Sequence, residues 1–512
     1  MRAYQGLKPY FGDLHNHCGI SYGHGSLNEA LLNARQQLDF CSVTGHAFWP
    51  DMPSPDQGIQ HLVDYHVEGF ARLHTNWPIV QRVLEEHHQP GEFVTFLSFE
   101  MHSSADGDYT ILYNDSHGEL LETSGLDELR GVLHRLMDEG FEVLAFPHHI
   151  AYQRGQRGIN WDTFDSSISP LVEIISMHGC SEADENTRPF LHGMGPSDFA
   201  STMRYGLAQG HFFGVIGSTD HHSAHPGSYG HGRTGLWASA KTRSAIWEAL
   251  TTRRTYALTG DRIELEYTVN DVPMGGQAVC TSEREISFHV VGGAPIDYVD
   301  VVRNGDLLRR FSRSDYRDND DNPQNIHTLL YLELGWGARG VRADWDVKFG
   351  ISEGRIKQIE PRLRGPEVVD PYEGSAKREA DLQHSTCQVV GERCVRIRTT
   401  TFGNPNNFTS ATQGVCLHVE MPSDASVRCD INGEVIEMPL KNLLEGARSG
   451  RLGKITSPCY RLHRAPRLWE YNWKASFEDR PEDSMDGDTY YLRVRQLNDQ
   501  WAWSSPIRIL HD

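Results

Sequence analysis

Short apolar runs rich in β-branched and aromatic residues punctuate the first 222 positions, and histidines or carboxylates cluster at their ends. The runs are YFGDLHNH, FCSVTGHA, FVTFLSFE, VLAFPHH, LVEIISMH and VIGSTDHH. Runs of this length, separated by polar stretches or helical spacing, predict buried parallel strands with functional residues at their C-terminal ends. In a β/α barrel those ends converge on one face, where the loops that follow build the active site. Between the runs, apolar spacing predicts amphipathic helices over 125–139 and 196–209. Residues 59–88 read as a helical excursion capping the barrel mouth. A helix over 243–253 and the strand TYALTG finish this part near Gly260.

After Gly260 the pattern changes to alternation with turn signals: IELEYTVNDVPMGG, REISFHVVGG, YVDVVRNGDLLRRF, CVRIRTTT, VCLHVEMP and YYLRVRQL. Alternation at this density predicts a β-sandwich, with hairpin turns at Asn304-Gly305 and Asn432-Gly433. The expected division is therefore 1–260 as an α/β domain and 261–512 as a mainly β, sandwich-like domain. Residues 311–326 are polar and read as loop. DYRDNDDN within them lacks the Gly and the terminal Glu of an EF-hand, and Asp486-Gly487-Asp488 reads as a turn before a strand.

Nine residues at the run ends are candidate metal ligands: His15, His17, His24, His46, Glu100, His148, His178, Asp220 and His222. His15 and His17 are two apart, as are Asp220 and His222, so on extended chain each pair points to one side and can grip one ion. Imidazoles with a few carboxylates suit zinc, iron or manganese rather than calcium. Asp13, just before the HxH pair, reads as a partner that orients a ligand.

Histidine divides the chain, with 21 of 27 before residue 232, which puts the chemistry in the first half. A net charge of -21 argues against a broad basic surface for nucleic acid or anionic lipid, so neither is an expected partner. The nine cysteines are an odd set with no CxxC pair, which predicts buried reduced thiols rather than a disulfide scaffold. The N-terminal MRAYQGLKPYFGD lacks the apolar core of a signal peptide, and no long apolar stretch occurs, so a soluble cytoplasmic protein is expected.

The ordered motifs DLHNH, TGH, SFE, PHH, SMHG and TDHH, over roughly residues 10 to 225, resemble the PHP (polymerase and histidinol phosphatase) superfamily of metallohydrolases. The strings YFGDLHNHCGISYGHGS and RTGLWASAKTRSAIWEALTTRRTYALTGDRI resemble its carbaryl-hydrolase-like (CehA/McbA) branch. The resemblance implies a distorted (β/α)7 PHP-type barrel holding two or three divalent ions (Zn, Mn or Fe). By position, His15 and His17 would bind the first ion with Asp220. Glu100 would bridge to a second ion held by His148 and His178, and His24, His46 and His222 would take a third. Relatives carry Asp in SDG where this chain has His24 in GHG, and Thr44-Gly45-His46 replaces TDH. In PHH either His148 or His149 can be the ligand, and His148, following Pro147, is the one assigned.

Three divalent ions bring six positive charges, against three negative from Glu100, Asp220 and a bridging hydroxide, an excess of about +3 that favours a phosphoryl group. The expected function is a metal-dependent phosphoesterase acting on a small phosphate ester, with that hydroxide as nucleophile. The alternative is a carbamate, carboxylic ester or amide hydrolase using the same centre, which needs only two ions and an oxyanion stabiliser. A third reading is a non-catalytic, metal-containing binding protein. His102, His149, His221 and His225 are candidate acids for the leaving group, with His149 and His102 preferred and Glu100 and Asp220 as the catalytic carboxylates. Arg154, Arg157 and Arg233 are candidate anion ligands. Tyr22, Phe48, Trp49, Tyr152 and Trp161 are candidates for an apolar pocket around a ring-bearing leaving group. Sequence does not define the oligomeric state.

Overall fold

A computed structural model describes residues 1–510 except 187, 191–193, 280–282, 317–324, 367–383, 408 and 482–486. Cys280, most of the DYRDNDDN segment and Asp486 lie outside the described residues. The architecture is mixed α/β. Its first part contains β1 (Lys8–Asp13), α1 (Leu27–Gln37), β2 (Phe40–Ser42), β3 (Gly45–Phe48), α2 (Gln60–His87), β4 (Val94–Met101), β5 (Tyr109–Tyr113), α3 (Leu126–Asp138) and β6 (Val143–Pro147). Then follow β7 (Leu171–Ser176), β8 (Gly179–Cys180), α4 (Met203–Ala208), β9 (Gly214–Gly217), β10 (Arg233–Ala238), α5 (Arg243–Thr251) and β11 (Thr255–Leu258).

These strands read as near-continuous apolar runs because their residues are buried without alternation: every position of β2 to β7 is buried. Helices cover them. In α1, Ser26 caps Glu29 N and Glu29 returns the bond, a reciprocal start that fixes where the helix begins. The α2 helix buries Phe70, Leu73, Trp77, Val80 and Leu84, and α3 buries Leu126, Leu129, Leu133 and Leu136, the spacing of one helical face.

Two expectations change. The strands are not uniformly parallel: β1, β2 and β4 pair in parallel, as do β7 and β9, but β5 runs antiparallel between β4 and β6, and β10 antiparallel between β1 and β11. The expected helix over 196–209 is a 3-10 turn, Phe199–Ser201, and then the short α4. Asp198 caps the turn through Ala200 N, and Thr202, extended at ψ 159, restarts the chain by capping Tyr205 N. A cap inside the segment breaks what its periodicity suggests.

After β11, Val272–Pro273, Glu264–Val269, Arg284–Val291 and Asn472–Asp479 form a four-stranded sheet packed on Ile296–Arg303, Asp306–Ser312 and Asp488–Gln496. Tyr267, Ile286, Phe288, Val299, Val301, Leu492 and Val494 fill the interface. A second sandwich is inserted in the chain before Asn472 and has two five-stranded sheets. One sheet includes Ile326–Gly335, Arg355–Arg362 and Gln413–Met421, and the other Arg342–Ile351, Cys394–Phe402 and Ser426–Ile431. Leu332, Trp345, Val347, Ile397, Leu417 and Val427 make its core. Both Asn-Gly turns close hairpins with positive φ at each residue, 52° and 87° at 304–305 and 51° and 91° at 432–433, the conformation those residues were expected to take.

The sheet does not stop near Gly260. β11 pairs antiparallel with Trp501–Ser504, which pairs with Asp488–Gln496, so the sheet carrying the first strands runs directly into strands from the far end of the chain. The inserted sandwich also reaches back: Leu363 N donates to Gln37 Oε1 (3.2 Å), Arg364 to Tyr229 O (2.6 Å) and Gly365 N to Ser228 Oγ (3.0 Å). Among the described residues no helix is long and apolar enough to cross a membrane.

Candidate metal centre

The residues flanking β1 and β9 are tied together by backbone before any side chain is considered. His17 N donates to His221 O (2.8 Å), Asp220 N to His15 O (2.8 Å) and His24 N to His222 O (2.8 Å), a short cross-link between segments 200 residues apart in sequence. Asp13 organises the same corner by accepting from His15 N, Thr219 N and Gly227 N. His15 and His17 then point together, with their Nε2 atoms 3.2 Å apart. Asp220 presents Oδ1 to them at 3.4 and 3.1 Å and Oδ2 to His178 Nε2 at 2.8 Å. Near the end of β4, Glu100 aims Oε2 at the Nε2 atoms of His15, His17 and His46 (3.5, 3.5 and 3.6 Å) and Oε1 at His148 Nε2 (3.2 Å). Its two oxygens thus face two histidine groups. The donor atoms of His17, His46 and His222 form a further group.

Six of these imidazoles spend their other nitrogen on an oxygen behind them. His15 Nδ1 donates to Glu173 Oε2 (2.8 Å), His17 Nδ1 to Thr44 O (2.7 Å) and His222 Nδ1 to Asp220 O (2.8 Å). The Nδ1 atoms of His46, His148 and His178 pair with Ser21 Oγ (3.0 Å), Thr110 Oγ1 (3.3 Å) and the Tyr152 hydroxyl (2.7 Å). A carbonyl or carboxylate can only accept, so the Nε2 lone pairs of His15, His17 and His222 are left facing inward. Ligating histidines are held in this way.

Burial pushes His46 well below its ordinary range and His222 down to about 3, with His17 adding to both. Burial also lowers His148, with His15 next. Burial opposes the charges on Glu100 and Asp220, but surrounding histidines outweigh it and hold both carboxyls well below the usual range. For His15 burial alone would lower the pKa, and Asp220, Glu173 and Glu100 raise it instead. Glu100 Oε2 is buried without a hydrogen-bond partner, which natural structures rarely leave unexplained. Convergent imidazoles, two anionic carboxylates and that orphaned oxygen fit divalent cations. Two residues of this region, His149 and Asp220, are left-handed, at φ 34° and 54°.

His102 and His149 are oriented differently. His102 Nδ1 meets Glu100 Oε1 (3.1 Å) and Asp108 Oδ2 (3.2 Å), and its Nε2 pairs with the Tyr22 hydroxyl (2.8 Å). His149 sets Nε2 3.4 Å from Asp108 Oδ2, and its Nδ1 has no partner. Asp108 and Glu173 are two buried carboxylates that the sequence reading passed over. β5 runs backward, so Asp108, at its start, lies on the face where the other strands end. Glu173 sits within β7, where its only signal was a charge inside the apolar run LVEIIS.

Other expected residues lie elsewhere or are already engaged. Arg157 bonds Asp108 and His102 Nδ1 and stacks on Trp49 at 5.1 Å. Arg154 is exposed and paired with Asp162. Arg233 is a correction: fully buried, it donates to the carbonyls of Gly227 and Gly260 and to Gln37 Oε1, so it braces the fold and has no guanidinium face for a ligand. The His24 ring joins none of the donor groups found among the described residues, and its Nδ1 is buried without a partner. His221 and His225 turn toward Gly365, and His221 stacks on His231. Tyr22 stacks on His46 and Trp49 flanks His102, whereas Trp161 packs with Phe164 and Phe213 in a separate core.

A family model described as a protein of unknown function (DUF3604) matches residues 228–272. An uncharacterized protein of Chlamydia pneumoniae is 28% identical over 208 residues, covering 37% of this chain and 33% of its own length. One of Chlamydia muridarum is 28% identical over 187 residues, covering 33% and 30%. The chain thus spans about a third of the length of these curated relatives. A crystal structure from Bacteroides vulgatus, of a two-domain protein described as containing a predicted PHP-like metal-dependent phosphoesterase, is 14% identical with a TM-score of 0.32, covering 58% of this chain and 80% of that one.

Proposed function

We propose that this protein is a metal-dependent hydrolase of the PHP type that cleaves a small phosphate ester. Its site would be borne by residues 1–260 in a distorted (β/α)7 arrangement, with the β-rich 261–512 as a second domain. The observation that carries the proposal is the set of inward Nε2 atoms, each backed by an oxygen on Nδ1, around the two faces of Glu100. His15, His17 and Asp220 would hold one ion and His148 and His178 another, with Glu100 between them. His46 and His222 would hold a third, with His17 rather than His24 completing that group. When bound, zinc, manganese or iron ions would supply Lewis-acid activation of water and of the ester oxygens.

The protein's own residues do the rest. Glu173 fixes the His15 ring, and Tyr152 the His178 ring, so that no reorientation is needed when substrate arrives. His149 and His102 share Asp108 and place donor atoms among those of Glu100 with His148 and of Glu100 with His46, so each stands close enough to the centre to donate a proton to a leaving oxygen. Burial works against the imidazolium that donation from His149 requires, and the Asp108 carboxylate opposes that shift.

Carbamate or carboxylic ester hydrolysis is the second reading, favoured by the aromatic wall of Tyr22, Phe48 and Trp49 near His46 and His102. Paired rates on aryl phosphate and aryl carbamate, with metal content measured on the same preparation, decide between them. Glu100→Gln should lower metal content and abolish turnover together, and full activity with unchanged metal would overturn the assignment. We expect a small-molecule ester as substrate, without nucleic acid or membrane partners, in a cytoplasmic setting.

A further inference from the structure

A second donor cluster lies in the inserted sandwich, on strands that contribute nothing to the first. Glu360, on Arg355–Arg362, and Cys416 and His418, on Gln413–Met421, place a carboxylate oxygen, a sulfur and an imidazole nitrogen within 4.8 Å of one another. Register puts them on one face: Glu360 is directly opposite Cys416, and His418 is two residues further along the same strand.

Three observations say that this face is incomplete without a cation. His418 Nε2 is buried and has no hydrogen-bond partner. It points at Glu360 Oε2 from 3.7 Å, beyond hydrogen-bond reach. Zinc bonds of about 2.0–2.2 Å to nitrogen and oxygen in a tetrahedron set such a pair roughly 3.4 Å apart, so a shift of a few tenths of an ångström would seat an ion. Negative charge is in place as well. Glu360 and Asp261 share Arg362, at 3.2 Å each, while Arg262 N donates to the other oxygen of Glu360 (2.9 Å). A carboxylate with four lone-pair sites can serve a guanidinium and an ion together.

We infer that Glu360, Cys416 and His418 form a structural site for a zinc-class transition-metal ion, separate from the hydrolytic centre. A thiolate with an imidazole selects zinc over calcium or magnesium. On binding, the Cys416 S–H bond breaks, its proton goes to solvent and the sulfur electron pair forms the metal bond. Burial pushes this thiol up to about 12, so the proton stays on sulfur until an ion displaces it. The fourth position falls to water. Because Glu360 also holds Arg262 and Arg362, the ion would pin the inserted sandwich to the joint at 261–262.

Cobalt(II) loading of the full-length protein tests this directly. The proposed hydrolytic ligands include no sulfur, so a near-ultraviolet thiolate-to-cobalt charge-transfer band separates the two centres, and its loss in Cys416→Ser assigns it to this thiol. The band should be present in the unaltered protein and in Glu100→Gln, and lost in Cys416→Ser and in His418→Ala with one metal equivalent. Absence of the band from the unaltered protein overturns the site, as does a band that survives in both Cys416→Ser and His418→Ala. If Cys416→Ser does not fold, the unaltered protein and His418→Ala decide. Failure of the hydrolase reading would show instead as absent turnover, which leaves the band untouched.

Discussion

Glu173 stands behind His15 and makes two bonds from full burial: Oε2 accepts His15 Nδ1–H at 2.8 Å and Oε1 accepts His149 N–H at 3.3 Å. Glu173→Gln keeps the shape but leaves one oxygen for two donors, and turns an amide NH2 toward the other. One buried donor then goes unpaired, at a cost of about 1–3 kcal/mol. Loss of a carboxylate that orients a ligating histidine lowers metal affinity about 10–100-fold, which is about 1.4–2.7 kcal/mol at about 1.36 kcal/mol per tenfold. Two independent estimates therefore agree on the size of the effect. Chelator competition would measure affinity, with kcat/KM on an aryl phosphate and thermal unfolding of the metal-free protein measured alongside. The reasoning predicts weaker metal binding with activity restored by excess metal. Unchanged affinity in a variant whose metal-free form is destabilised would refute it, and would make Glu173 a packing residue only.

Gly365→Ala would place a Cβ 2.5 Å from His221 Cε1 and 2.6 Å from His225 Cβ. Overpacking of this kind costs about 1–3 kcal/mol, and because His221 adjoins Asp220 and His222, metal retention on dialysis should fall with the melting temperature. Arg233→Met leaves two buried acceptors, Gly227 O and Gly260 O, without donors, while Gln37 Oε1 keeps Leu363 N. At about 1 kcal/mol or more each it should lower unfolding free energy by at least about 2 kcal/mol in denaturant titration; an intact fold with a raised KM would return Arg233 to the role of anion ligand.

The clustering of these side chains was legible because strand ends carry chemistry in a buried sheet. His15, His17, His46, Glu100, His148, His178, Asp220 and His222 each follow or close an apolar run, and the strands bring them to one place. Strand direction was not readable. A five-residue run such as Tyr109–Tyr113 looks the same whichever way it pairs, so Asp108, at its beginning, fell outside a search for C-terminal ends. His24 illustrates the opposite limit: its residue type fits an ion, but the loop geometry that aims a ring leaves no trace in composition. The helix over 196–209 failed on local caps, since Asp198 and Thr202 compete for backbone donors that periodicity alone assigns to a helix. The alternation after Gly260 announced sandwiches but not their nesting. Pairing between residues 246 apart, as in Ala257 with Trp503, is set by tertiary packing rather than by any local pattern.

That pairing has a bearing on how the molecule is made. Synthesis releases the histidine-bearing strands early, yet the edge of β11 stays open until Trp501–Ser504 emerges, and Ser505 then bonds Val215 N (2.8 Å) beside β9. An unpaired buried-type strand invites association with other chains, so until residues 501–504 are made the nascent protein carries a liability that their pairing removes. The same seam acts as a quality check: a chain without residues 501–504 would expose that edge to aggregation and proteolysis, linking the integrity of that distant strand to the survival of the site.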